Sequence, residues 1–216
     1  MLDLTFALTK GRLAEKTLSL LSQCGIHCED LSEDSRKLVF VDPENHVRFF
    51  MAKAADVPTY VEQGAADIGI VGKDVLLEEQ KDLYEVLDLG FGKCRMAVAG
   101  FPEGKKLLNQ RGDFRVGSKY PEIARRYFLS RHQQPLILKL NGSVELAPIV
   151  GLADVIVDIV ETGSTLAANG LVVLDAFLEI SARMVVNKAS MKLHAERING
   201  LIQQMSEALR RMEDGR

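Results

Sequence analysis

Residues 151–168, Gly-Leu-Ala-Asp-Val-Ile-Val-Asp-Ile-Val-Glu-Thr-Gly-Ser-Thr-Leu-Ala-Ala, decide the fold class of this chain. The β-branched run from Val155 to Val160 reads as a buried strand, and Glu161-Thr162-Gly163-Ser164-Thr165 reads as the turn that ends it. Leu166-Ala167-Ala168 then suits a helix. A strand that turns directly into a helix is the building unit of an α/β protein. The same turn carries chemistry. Glycine, hydroxyls and amides without intrahelical partners converge there, and such amides together with the helix dipole attract phosphate. A carboxylate facing phosphate would repel it, so Asp158 and Glu161 suit sugar hydroxyls or a metal ion instead. Taken alone, the stretch is either a ribose-phosphate site or an ordinary capped turn.

The segment has an earlier counterpart. Gly64-Ala65-Ala66-Asp67-Ile68-Gly69-Ile70-Val71 and Gly151-Leu152-Ala153-Asp154-Val155-Ile156-Val157-Asp158 both follow a helix-like stretch and open a strand. A strand also runs into Thr9-Lys10 and another into Ser118-Lys119, each followed by a helix-like stretch. Two lobes built on one β–α–β plan account for both pairs. Ligands in open α/β sheets bind beyond the carboxyl ends of strands, where the Thr9-Lys10 turn and the 161–165 loop both fall.

Between these landmarks the chain alternates throughout. Strands are expected at 4–9, 37–42, 47–52, 67–71, 84–89, 93–99, 114–117, 136–140 and 155–160, and one more at 178–187. Helices are expected at 13–24, 58–63, 74–79, 121–130 and 144–150. A long helix at 188–212 closes the chain, with an apolar stripe at Ile198, Leu201, Ile202, Met205, Leu209 and Met212 that must cover something. The simplest cover is the first lobe, so the chain crosses between lobes twice, near 90–96 and 178–184. Residues 1–92 plus 183–216 then form lobe I, and residues 93–182 form lobe II. The expected class is α/β, with two similar lobes of mixed, largely parallel sheets.

Composition narrows the function. With 216 residues, 47% hydrophobic and 26% charged, the chain can bury a sizeable core. A formal charge of −3 with scattered basic residues argues against nucleic-acid binding. The N-terminus alternates like a strand and has no signal-peptide pattern, and no apolar run approaches the about 18 residues that span a bilayer. A cytoplasmic protein without membrane contact is expected. Three cysteines make no disulfide framework. Cys24 continues an apolar helix stripe that Gly25 stops, so it reads as a structural thiol.

These features resemble the short form of ATP phosphoribosyltransferase, the first enzyme of histidine biosynthesis. The family pattern is Glu, five residues, Gly, any, a small residue, two residues, Ile or Val, any, Asp, aliphatic, two residues, then Thr/Ser-Gly-x-Thr-Leu. This chain supplies Glu145, Gly151, Ala153, Ile156, Asp158, Ile159, Thr162, Gly163, Thr165 and Leu166 without departure. The likeness extends to Thr9-Lys10-Gly11-Arg12-Leu13, Asp34-Ser35-Arg36-Lys37-Leu38, Asp56-Val57-Pro58-Thr59-Tyr60-Val61 and Asp67–Val75. Many relatives carry Arg where this chain has Lys53, and Lys cannot make the bidentate fork of a guanidinium.

The resemblance implies a periplasmic-binding-protein-like pair of lobes (type II) and a reaction between ATP and 5-phosphoribosyl 1-pyrophosphate, with Mg²⁺ held mainly by substrate phosphates. It implies substrate binding by Glu145, Lys53, Asp158, Glu161, Thr162, Gly163, Ser164 and Thr165, with the phosphate loop in lobe II and ATP in lobe I. Lys10, Arg12 and Arg36 are the implied catalytic cations, set against the departing pyrophosphate. It further implies a homodimer working with a histidyl-tRNA-synthetase-like regulatory subunit, and no added histidine-binding domain after the last helix. A phosphoribosyltransferase acting on free bases, a solute-binding receptor and a ligand-sensing domain are the alternatives.

Overall fold

The computed structural model describes residues 3–27, 37–109 and 112–214. It divides into two compact units, Met1–Gly92 with Ser181–Arg216, and Lys93–Ile180.

The first unit is built on a six-stranded sheet. Its chain order begins β1 (Leu4–Thr9), α1 (Arg12–Gln23), β2 (Val39–Asp42), β3 (Val47–Ala52), a 3-10 turn (Ala54–Asp56) and α2 (Val57–Glu62). β4 (Ile68–Gly72), α3 (Lys73–Glu79) and β5 (Tyr84–Asp88) follow. β1 pairs in parallel with β3 and β4, while β2 joins β3 antiparallel at the edge. Every residue of β1 is buried because both sheet faces are covered. Leu4, Phe6 and Leu8 meet Leu20 and Leu21 of α1, while Ala7 meets Val57 and Val61 of α2 on the other face.

The second unit carries a five-stranded sheet. It runs β6 (Cys94–Gly100), a 3-10 helix (Pro102–Asn109), β7 (Arg115–Ser118), α4 (Pro121–Ser130), β8 (Leu136–Lys139) and α5 (Leu146–Ile149). It ends with β9 (Val155–Val160), α6 (Ser164–Ala168) and β10 (Val172–Ile180). β7 lies parallel to β8 and β9, and β6 joins β9 and β10 antiparallel. Tyr127 of α4 donates to Asp175 of β10 at 2.5 Å and stacks on Phe177 with ring centroids 4.1 Å apart. Burial, and then the Asp175 carboxylate, hold the Tyr127 phenol well above its ordinary range.

The repeated segment has one detailed structure in both units. After α2, Gly64 turns the chain at φ 73°, and the amides of Ala65 and Ala66 return to the Tyr60 carbonyl. After α5, Gly151 does the same at φ 73°, with Leu152 and Ala153 returning to Ala147. The aspartate that comes next latches the neighbouring strand. Asp67 accepts from the Thr5 amide at 2.8 Å while its own amide donates to the Thr5 carbonyl at 2.9 Å. Asp154 accepts from the Arg115 amide at 2.7 Å and donates to that residue's carbonyl at 2.9 Å.

Two expectations need correction. The apolar stretch 178–187 is two strands in two sheets. Leu178, Glu179 and Ile180 end β10, whereas β11 (Ala182–Val186) pairs antiparallel with β4 and β5 in the first unit. Ser181 stands between them and donates to Asp88 at 2.7 Å, so the return to the first unit falls before residue 183. The closing helix is also interrupted. α7 (Lys188–Leu193) is capped by the Asn187 side chain, and α8 (Ala195–Asp214) starts after His194 leaves helical geometry at φ −122°. Ile198, Leu201 and Met205 of α8 enter the first unit's own core. Both sheets are mixed, as expected, with parallel pairing in the ladders β3-β1-β4 and β9-β7-β8 and antiparallel pairing elsewhere.

Asp67 also accepts from the Ser190 hydroxyl at 2.5 Å. Asp67→Ala strands the Thr5 amide and is expected to cost about 1–3 kcal/mol, read as a lower urea midpoint at unchanged slope. A raised phenol pKa stabilises the fold below the unfolded value near 10 and loses that contribution as pH rises past it. Stability should therefore fall above about pH 10, and Tyr127→Phe should reduce that fall in urea titrations.

Candidate functional site

The turn after β9 begins as sequence dictates. Six residues with β-branched predominance form the strand, and the left-handed Gly163 (φ 79°, ψ 5°) redirects the chain into α6. The Ala167 amide donates to the Gly163 carbonyl at 3.0 Å, and Leu166 anchors the turn in the core beneath it. The hydroxyls of Thr162 and Ser164 lie 3.0 Å apart, and the Ser164 amide approaches the Thr162 hydroxyl at 3.3 Å. The short α6 leaves its first-turn amides without intrahelical partners.

A pocket of about 410 Å³ opens beside this turn, entirely within the second unit. Glu145, Asp158, Glu161, Thr162, Gly163, Ser164 and Thr165 all line it. These residues come from two places in the sequence, because Glu145 stands immediately before α5. Asp158 is half-buried on β9 and accepts from the Ile159 amide at 2.9 Å, while Glu161 is exposed. The floor is not legible from motifs. Ala97 and Ala99 of β6 lie opposite Asp158 and Ile156, and their small side chains leave the volume open. The signal for them is the period-two alternation in Arg95-Met96-Ala97-Val98-Ala99, which places both alanines on one face.

The pocket is acidic. Among the described residues, three carboxylates line it and no Lys, Arg or His does. Carboxylate oxygens suit a hard divalent cation such as Mg²⁺. Among the described residues, no group of three or more His, Cys, Asp or Glu side chains could hold a metal unaided. An ion here would thus draw its remaining oxygens from a bound phosphate compound.

The expected cations belong to the first unit. Parallel register sets Thr9 beside Ala52, so Lys10 and Lys53 follow paired strand ends at one sheet edge. Arg12 is the first residue of α1, and Gly11 precedes it at φ 82°. All three cations are exposed. Lys53 leads the 3-10 turn, its carbonyl accepting from the Asp56 and Val57 amides. Arg36 lies outside the described residues.

A family model described as ATP phosphoribosyltransferase matches residues 53–207. The chain is 58% identical over 208 residues to a protein named ATP phosphoribosyltransferase from Lachnoclostridium phytofermentans, covering 95% of this chain and 97% of that one. It is 58% identical over 200 residues to a protein of the same name from Ruminiclostridium cellulolyticum, covering 92% and 94%. Among solved structures it matches a chain of the ATP phosphoribosyl transferase (HisG:HisZ) complex from Thermotoga maritima. That match has TM-score 0.80 and 36% identity, and covers 96% of this chain and 99% of that one. The periplasmic aliphatic sulphonate binding protein SsuA from Escherichia coli shares the fold alone, at TM-score 0.60 and 16% identity over 99% of this chain and 71% of that one.

A Cβ on Gly163 would meet only Val160 Cγ1 at 3.7 Å, so substitution strains the backbone without a clash. Gly163→Ala should lower stability by about 1–2 kcal/mol and weaken ribose 5-phosphate binding in titration calorimetry. Equal affinity in a folded variant would remove this turn from phosphate binding.

Proposed function

This chain belongs to the ATP phosphoribosyltransferase family, and from that premise we propose that the pocket beside residues 161–165 is its phosphoribosyl site. The enzyme joins ATP to 5-phosphoribosyl 1-pyrophosphate, giving N1-(5-phosphoribosyl)-ATP and pyrophosphate in the first step of histidine biosynthesis. Support for this assignment of the pocket comes from convergence on one cavity of Asp158 and Thr162 to Thr165 with Glu145, which stands well upstream of them in the family pattern, before α5.

In this reading the turn's amides and the Ser164 and Thr165 hydroxyls take the 5-phosphate. Asp158 and Glu161 take the ribose hydroxyls, and Glu145 completes the acidic wall. Adenine N1 attacks the anomeric carbon with its own lone pair as the bond to pyrophosphate breaks. No general base is required. Positive charge then grows on the sugar, where the carboxylates stabilise it, and negative charge grows on the leaving group. Lys10, Arg12, Arg36 and Lys53 are the proposed partners of that leaving charge, and the first unit is the proposed ATP side. Mg²⁺, held by substrate phosphates with Asp158 or Glu161, would neutralise charge on the leaving group.

The Thermotoga maritima relative is known in a HisG:HisZ complex. A homodimer of this chain, joined to a regulatory subunit resembling histidyl-tRNA synthetase, is the corresponding proposal. No helix among the described residues is long and apolar enough to cross a membrane, and a cytoplasmic location is the proposal consistent with a biosynthetic role.

With ATP, phosphoribosyl pyrophosphate and Mg²⁺ supplied, the chain and its regulatory subunit should form phosphoribosyl-ATP in an absorbance assay. Free purine bases should give no product. Consumption of the sugar donor by free bases but not by ATP would overturn the assignment.

A further inference from the structure

We propose that Arg95 is a phosphate-binding residue of this pocket, an inference that rests on the phosphoribosyl reading above. Strand register places it there. β6 and β9 pair without interruption, with Arg95 opposite Val160, Ala97 opposite Asp158 and Ala99 opposite Ile156. Directly opposed residues of an antiparallel pair share a face, as do alternate residues of one strand. Arg95 therefore rises from the pocket face, one step along β6 from the floor residue Ala97. Val160 is opposite, and Glu161 and the phosphate turn come directly after it.

Charge points the same way. Among the described residues, the lining holds Glu145, Asp158 and Glu161 and no cationic side chain. The amides and hydroxyls of the turn would bind a phosphate monoester without contributing a formal charge. A guanidinium on the same face, able to fork onto two phosphate oxygens, adds that charge. Arg95 is exposed, so its side chain is available for this. Glu179 of β10 is also opposite Arg95, yet no ion pair joins the two among the described residues. A purely structural cross-strand pair is thus the competing role for Arg95.

The test measures phosphoribosyl pyrophosphate and inorganic pyrophosphate binding by calorimetry in the full chain with its regulatory subunit, alongside thermal melting. Loss of one charge-assisted contact predicts that Arg95→Ala weakens phosphoribosyl pyrophosphate binding about tenfold or more. Pyrophosphate affinity and the melting temperature should stay as in the wild type. Arg95→Lys should restore part of the loss, and Glu179→Gln should leave donor binding unaltered. Unchanged donor affinity in Arg95→Ala, with Gly163→Ala still weakened, overturns the role of Arg95 alone. Equal loss of melting temperature in Arg95→Ala and Glu179→Gln, with donor affinity intact in both, identifies the cross-strand pair instead. A wild-type complex that does not bind the donor would overturn the phosphoribosyl reading itself and this inference with it.

Discussion

The latch between an aspartate and the backbone of a neighbouring strand is the constraint on which both units depend. Asp67 grips Thr5 and Asp154 grips Arg115, each through one side-chain and one main-chain hydrogen bond. The latch fixes where β4 and β9 start relative to their parallel neighbours. Side chains alternate along a strand, so a slip of one residue would turn Asp158 away from the pocket face. The glycine before each latch, at φ 73°, lets the helix end close enough to the strand for the aspartate to reach. Geometry at the amino end of β9 thus governs which side chains appear beyond its carboxyl end.

That dependence explains how a repeat can be structural while the chemistry is not repeated. Both units share the Gly-x-Ala-Asp opening, but only β9 continues into Glu161-Thr162-Gly163-Ser164-Thr165. β4 runs instead into Gly72-Lys73-Asp74, where Lys73 pairs with Glu85 at 2.5 Å and Asp74 is buried. One scaffold therefore ends in an open acidic pocket and the other in a satisfied ion pair. Fold similarity to solute-binding proteins carries no function for the same reason, since the residues beyond the strand's carboxyl end decide the chemistry.

Most strands and helices are legible in the sequence because their apolar periodicity matches their burial. β1 shows it best, as an apolar run covered on both faces, and β9 keeps a β-branched run around the half-buried Asp158 of its pocket face. The 178–187 stretch misleads because continuous apolarity says that a strand is buried but not in which sheet. The hydrogen bonds of Ser181 with Asp88 and Lys73, and of Ala182 with Leu89 and Phe91, mark the change. The break at His194 has no glycine or proline to announce it. At the site, the motif residues are legible because most carry a polar group at fixed spacing. Ala97 and Ala99 are not, since their contribution is the volume they leave empty, and that becomes visible only once β6 lies beside β9.

Lys53 shows why register matters on the cationic side as well. Alone in the sequence it is one exposed lysine among many, a residue type that is most often solvated surface. Parallel pairing of β1 with β3 aligns Thr9 with Ala52, so Lys10 and Lys53 emerge from adjacent strand ends. Two like charges at neighbouring positions repel each other, and at ordinary ionic strength that repulsion is screened only beyond about 8–10 Å. No folding advantage arises from such a pair, because the nearby turn is held by main-chain bonds to the Lys53 carbonyl and not by its ammonium. In the proposed role, a bound polyanion would turn that repulsion into binding energy. Lys53 would supply its charge as a compact point rather than a planar fork, so contacts proposed at this edge would depend on proximity more than on bidentate geometry.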